Sequence, residues 1–256
     1  MRAVLTYHSI DNTRSPISIL PESFASHVQW LASGRVRVLA LGALVAEARA
    51  GDESLGDAVA ITFDDGFANF AEFAAPLLAK HGLPSTVFVV SDHVGRTNAW
   101  GGQEPPGIPT LPLMTWDQLG RVAEGGVELG AHTRSHPALD MLLAQALADE
   151  IDGSADDIVA QTGVRPTTFA YPYGLAPAAA VAQVRKSFAV GVSTELRVLD
   201  VSDEPARIPR LDAFYLRQPD GLAGWGTARF RAYVRLRAAV RSAREQVRRS
   251  ARFGAA

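Results

Sequence analysis

Apolar and polar positions along this chain follow two rhythms that alternate. Runs of six or seven residues, "RAVLTY", "DAVAITF", "PSTVFVV", "VELGAH", "TTFAYP" and "FAVGVST", are rich in β-branched, aromatic and small apolar residues. They read as short buried strands. "RVRVLAL" adds a further short strand. Between the strands lie "PESFASHVQWLASG", "LGALVAEARAG", "NFAEFAAPLLAKHG", "TWDQLGRVAEGG", "ALDMLLAQALADEIDGSADDIVAQTG" and "APAAAVAQVRKS". Their apolar residues recur three and four positions apart, as Phe24, Val28 and Leu31 do, and predict helices. Pro21 opens the first of them and Gly34 follows it. Strand and helix alternate about seven times, which implies parallel strands joined by helical crossovers. A barrel and a doubly wound sheet both satisfy that rhythm, and in either the site lies at the carboxyl ends of the strands.

The run from Gly95 to Leu113 has neither rhythm and is rich in Gly and Pro. It is long for a connection inside a domain and is expected to be a functional loop over the site, with a disordered insert as the alternative. The totals change the picture little: 256 residues, 47% hydrophobic, 20% charged, net charge −2. The absence of cysteine excludes disulfides, thiolate ligands and a cysteine nucleophile. "MRAVLTYHSI" is too short for a signal-peptide core, and no stretch reaches the roughly 20 apolar residues of a membrane span. A cytoplasmic protein is therefore expected.

Chemistry concentrates where predicted strands end. Asp64 and Asp65 stand side by side after "AITF", where two like charges disfavour each other's ionisation. A metal or a catalytic task would explain the pair. His132 and His136 stand in "GAHTRSHPAL", and Pro137 turns His136 away from a helix interior, so both fall on a strand-to-helix loop. Taken singly, each histidine reads as a satisfied polar residue and the aspartates as a capping turn. Together, with His8 at the end of the first strand, they point to one end of the fold. Two imidazoles and a carboxylate suit zinc with a water in the fourth place, or ferrous iron.

"TFDDG" and "HTRSH", some seventy residues apart, with "YPYG" and "IPRLD", resemble the motifs of the polysaccharide deacetylases, the NodB-homology carbohydrate esterases of family 4. The resemblance runs from about Ala3 to Leu216. It implies a distorted, seven-stranded β/α barrel in one domain (1–220), removal of acetyl groups from N-acetylated sugars, and a divalent metal. Zinc comes first, with cobalt, nickel, iron or manganese as alternatives. It implies that Asp64 is the catalytic base, that Asp65, His132 and His136 hold the metal, and that the backbone N–H of Tyr173 helps bind the oxyanion. The third motif often begins with arginine, as in R-P-P-Y-G; here Ala170 and Tyr171 precede Pro172. Arg210 or Asp212, in "RIPRLDAF", could supply what is lost: arginine beside Asp64 would keep it ionised, and Asp212 beside His8 would favour imidazolium. No histidine follows that segment. His8 instead resembles the general acid of a circularly permuted branch that includes poly-N-acetylglucosamine deacetylases. His27, His81 and His93 match nothing.

From Thr227 the chain turns basic, with arginines at 229, 231, 235, 237, 241, 244, 248, 249 and 252 and Glu245 the only acid. Residues 227–253 predict a basic amphipathic helix. It would bind an anionic membrane surface, placing the protein at the inner membrane face, or a phosphate-bearing substrate, or a protein partner, or simply cover the barrel. No nucleic-acid partner is expected. Two further functions stay open beside the deacetylase: hydrolysis of another amide or imide by the same site, and a catalytically dead, glycan-binding or membrane-associated scaffold.

Overall fold

The computed structural model describes residues 1–104 and 107–253, with side chains as far as 244. In chain order the elements are β1 (Arg2–Tyr7), β2 (Ser9–Ile10), β3 (Ser18–Ile19), α1 (Pro21–Ala32), β4 (Arg37–Val38), α2 (Leu41–Ala50) and β5 (Ala58–Phe63). They continue with α3 (Ala75–Lys80), β6 (Thr86–Val89), α4 (Trp116–Glu124), β7 (Glu128–Ala131), α5 (Ala144–Thr162) and β8 (Thr168–Ala170). The last are α6 (Ala178–Ser187), β9 (Val190–Val192), β10 (Leu211–Asp212) and α7 (Ala228–Phe253).

Seven strands follow the order β10-β1-β5-β6-β7-β8-β9, every pair parallel, and curl into a distorted β/α barrel. The short β4 shares an edge of β5 with β6. The seam is made by the run 206–212. Ile208 pairs with Val192 on one side, while Leu211 and Asp212 pair with Leu5 and Thr6 on the other. Helical crossovers cover the sheet because parallel neighbours require long right-handed connections.

Two departures from the predicted helices have clear causes. The run from Asn69 is not one α-helix: residues 70–74 form a π turn before α3. Pro76 cannot donate to an i−4 carbonyl and would clash with it, and the wider turn relieves both problems. The long helix expected from Ala138 divides into a 3₁₀ turn over Leu139–Met141 and α5. The two-residue strands β2, β3 and β10 fall outside the runs that predict strands.

Strand periodicity decides what reaches the site. Ala3, Leu5 and Tyr7 of β1, with Val59, Ile61 and Phe63 of β5, join the main core against α1 and α3. Val4 and Ala60 belong to a second buried set with Phe88, Ala170, Val192 and Ile208. Thr6, Thr62 and Asp64 continue that second face, and all three bond to Arg210.

The seam leaves no room for a side chain at Gly191, where a Cβ would stand 2.4 Å from the Ala206 carbonyl oxygen. Gly191→Ala is therefore expected to lose about 1–3 kcal/mol in denaturant unfolding, the scale of overpacking a closed interior. A variant as stable as the parent would show that the seam yields freely.

Candidate active site

The first strand end is made by β5. Asp64 continues its ladder, its N–H donating to the Tyr7 carbonyl at 2.9 Å. Asp65 then enters the left-handed region at φ 71°. That one change of backbone sends two adjacent carboxylates in different directions. Among the described residues five non-glycines have positive φ, and four of them (Asp65, Thr133, His136 and Tyr173) line this end of the barrel. Local strain of this kind persists only where the surroundings hold it.

Arg210 is buried and grips Asp64 with both arms, Nη1 to Oδ1 at 2.6 Å and Nη2 to Oδ2 at 2.7 Å. Its remaining hydrogen bonds go to the Ser193 carbonyl (2.9 Å) and to the Thr6 (2.9 Å) and Thr62 (3.3 Å) hydroxyls, with its guanidinium over the Phe88 ring. Burial by itself would raise the Asp64 carboxyl, but the guanidinium outweighs it and holds the group well below the usual carboxylate range. The small Ala170, at the position where the third motif often carries arginine, belongs to the same buried face. The cation thus arrives from the seam instead of from β8. Tyr171, next to it, donates its hydroxyl to the Ala206 carbonyl at 2.6 Å.

Asp65, His132 and His136 form the second feature, all buried, their ligand atoms within 4.8 Å of one another. Asp65 Oδ1 lies 3.4 Å from His132 Nε2 and 3.5 Å from His136 Nε2. His132 Nδ1 donates to the Ala170 carbonyl at 2.8 Å, which leaves a lone pair on Nε2. A lone pair facing a carboxylate oxygen in a buried place is satisfied by a proton on Nε2 or by a cation held between the two. Burial would lower His132, but Asp65 and Asp64 outweigh it and raise its pKa, as expected where a positive charge belongs. Burial pushes His136 down to about 3, so it is a neutral imidazole. Burial would raise Asp65, and the facing imidazoles reverse this and lower it. The donor set therefore fits a divalent cation held by one carboxylate and two imidazoles.

The loop carrying both histidines is tied down by a residue without a sequence signal. Glu150 of α5 accepts the N–H groups of Arg134 (2.8 Å) and Ser135 (2.9 Å) and the Ser135 hydroxyl (2.5 Å). The Thr133 hydroxyl accepts the His136 N–H at 3.0 Å. Trp100, from the Gly- and Pro-rich loop, stacks on His136 with ring centroids 4.5 Å apart. Two residues of that loop, 105 and 106, lie outside the described residues. Tyr173 meets His136 edge-on at 4.7 Å. Trp100, Ser135, His136, Pro137, Tyr173 and Leu175 wall an open groove of about 680 Å³ beside the three metal-fitting residues.

His8 Nε2 stands 3.8 Å from Asp64 Oδ2, beyond a hydrogen bond, with its side chain 22% exposed. Asp212 shares a small cavity with His8. Its carboxylate, however, caps a turn by accepting the Phe214 N–H at 2.9 Å, and among the described ion pairs His8 faces Asp64. Of the unassigned histidines, His27 bridges the Tyr7 hydroxyl (3.0 Å) and the Gln218 carbonyl (3.1 Å).

A β/α barrel whose strand ends join a cation-ready Asp-His-His set to an arginine-locked carboxylate has the architecture of a metal-assisted hydrolase. Residues 52–190, more than half of the chain, match the polysaccharide deacetylase family model, and the chain belongs to that family. His8 and Arg210 fall outside the matched span. The chain is 25% identical over 211 residues to the poly-beta-1,6-N-acetyl-D-glucosamine N-deacetylase of Staphylococcus epidermidis, covering 77% of this chain and 70% of that protein. It is 24% identical over 193 residues to YxkH of Bacillus subtilis, where it spans 64% of the relative's length. Among solved structures, IcaB from Ammonifex degensii superposes with a TM-score of 0.71 at 22% identity, over 88% of this chain and 96% of that one. The Streptococcus pyogenes deacetylase PplD gives 0.72 at 19%, over 86% and 96%. Both share the fold.

Because the folded Asp64 carboxyl titrates below its unfolded value, its ion pair stabilises the fold above a pH of about 3.9. That contribution is lost as pH falls through the folded pKa. Arg210→Met leaves a buried, unpaired carboxylate. The metal-free variant should be less stable by about 3–5 kcal/mol near neutral pH, with the deficit narrowing as acid neutralises Asp64. A deficit that stays constant from neutral pH to about pH 3 would refute the pairing.

Proposed function

We propose that the protein hydrolyses the N-acetyl group of an N-acetylated polysaccharide, with poly-N-acetylglucosamine-like polymers as the favoured substrate class. Family membership and the relative from Staphylococcus epidermidis support the reaction. The observation that carries it is the pairing of Asp64 with Arg210 next to the Asp65-His132-His136 set. The open groove beside the set, walled by Trp100 and Tyr173, suits a polymer lying across it better than a small closed-off sugar.

A divalent metal held by Asp65, His132 and His136 would acidify a water and polarise the acetyl carbonyl. Zinc is the first choice for this donor set. Asp64 is the base. Arg210 occupies one lone pair on each of its oxygens and leaves the others for the site. A carboxylate so strongly held ionised is a weak base, so it takes a proton only from a water whose own pKa has been lowered. The backbone N–H of Tyr173 donates to the oxyanion that forms as water adds to the carbonyl. His8, protonated, gives its proton to the amine nitrogen as the C–N bond breaks; without it the sugar amine leaves poorly. Arg210 positions Asp64 and keeps it charged, and Asp212 shapes the turn beside His8.

Asp64→Asn is expected to keep its metal, measured by elemental analysis, and to lose roughly 100-fold or more in deacetylation of N-acetylglucosamine oligomers. Loss of metal in that variant would make both aspartates ligands and overturn the assignment.

His8→Ala should damage amide hydrolysis far more than hydrolysis of an aryl acetate, whose leaving group needs no proton. Equal losses on the two substrates would remove His8 from the acid role.

A further inference from the structure

The C-terminal helix α7 carries a feature that packing against the barrel does not explain. Its inner side is well accounted for. Phe230 and Val234 are buried, and Phe230 packs against Trp225 with ring centroids 5.6 Å apart. The Tyr233 hydroxyl donates to the Tyr215 carbonyl at 2.7 Å, Arg237 lies over the Tyr215 ring at 4.8 Å, and Arg241 donates to the Thr194 hydroxyl at 2.9 Å. The opposite side should therefore be polar, as on any helix that merely covers a core.

It is not. Ala232, Leu236, Ala239, Val240 and Ala243 recur three and four apart on the outward face, and all are exposed, Leu236 by 62%. The stripe is long enough to be a surface: from Ala232 to Ala243 it runs about 16 Å. Its flanks are cationic. Arg229, Arg231, Arg235 and Arg244 are exposed and form no ion pair with another described residue. No aspartate or glutamate occurs from Ala228 to Arg244. The remaining arginines of the tail, 248, 249 and 252, have side chains outside the described residues.

We propose that α7 is a docking helix for an anionic lipid surface, lying in the plane of the bilayer with its outward apolar stripe among the acyl chains and its flanking arginines among anionic headgroups. Apolar burial and headgroup attraction act together in such helices. Charge decides against the simplest competitor. A second copy of this chain meeting the same stripe would set like arginines against one another with no acid on either helix from Ala228 to Arg244. No described helix is long and apolar enough to cross a membrane, and a helix lying in the bilayer plane does not need to be. The helix also runs beside the catalytic end of the barrel. Thr194, which holds Arg241, bonds through the same hydroxyl to the Tyr173 carbonyl, and a Cβ on Gly174 would collide with it. Docking through α7 would bring the groove close to the lipid surface.

The test is co-sedimentation of the full chain with vesicles of phosphatidylcholine and phosphatidylglycerol in about equal amounts, against phosphatidylcholine alone, at low salt. The chain should partition at least about tenfold more strongly onto the anionic vesicles. Each arginine near such a surface contributes about fivefold, so Arg229→Gln with Arg231→Gln, Arg235→Gln and Arg244→Gln should lower partitioning by roughly a hundredfold or more. Leu236→Glu with Val240→Glu should abolish it. These side chains are exposed, so circular dichroism, thermal unfolding and hydrolysis of a soluble oligomer should match the parent. Failure of the parent chain to sediment would overturn the proposal, as would variants that bind as well as the parent. So would a dimer in light scattering that the Leu236→Glu, Val240→Glu variant dissolves.

Discussion

The ion pair between Arg210 and Asp64 is the constraint on which the rest of the site depends. A carboxylate buried at a strand end is costly to keep charged unless a full partner meets it. Arg210 supplies two charge-assisted bonds, and its own guanidinium is satisfied by Ser193, Thr6 and Thr62 from three different segments. The pair therefore couples β1, β5, β9 and the seam run before β10. It closes the barrel at the end where the chemistry lies, and it fixes one carboxylate so that the neighbouring one can face the two imidazoles.

Around that pair the chain uses backbone more than side chain to aim its groups. Asp65, Thr133, His136 and Tyr173 all adopt positive φ, a conformation that costs of order 1–3 kcal/mol at a non-glycine residue. The surroundings hold them: Glu150 accepts two N–H groups and a hydroxyl from the histidine loop, and Trp100 stacks on His136. The result is a rigid donor set with one open side, toward the groove.

Much of this was legible in the chain. Seven strands followed from short runs rich in β-branched, aromatic and small apolar residues, the helices between them followed from apolar positions three and four apart, and Asp64, Asp65, His132 and His136 stood out because costly polar residues ended apolar runs. What was hidden has physical reasons. β10 is two residues long, too short for any period. Arg210 could be named from the empty arginine position at Ala170, but only the seam shows that it reaches Asp64 and that Asp212 caps the turn at Phe214. Glu150 sits among the polar residues of a helix, where one more acid carries no signal. Trp100 lies in an aperiodic loop, and its only clue was an aromatic ring among glycines. The outward stripe of α7 could not be separated from a core-facing stripe until the helix was docked, because α7 has apolar positions on both sides.

The central claim is that one divalent cation belongs between Asp65, His132 and His136, with Asp64 beside it and not on it. Calorimetric titration of the chelator-stripped chain with zinc tests it most directly. The account predicts one tight site per chain, with binding weaker below neutral pH as protons compete for His132, whose pKa is raised, and no tight site in His132→Ala. Binding that survives His132→Ala unchanged, or a parent chain that takes up no zinc or other divalent ion, would contradict it.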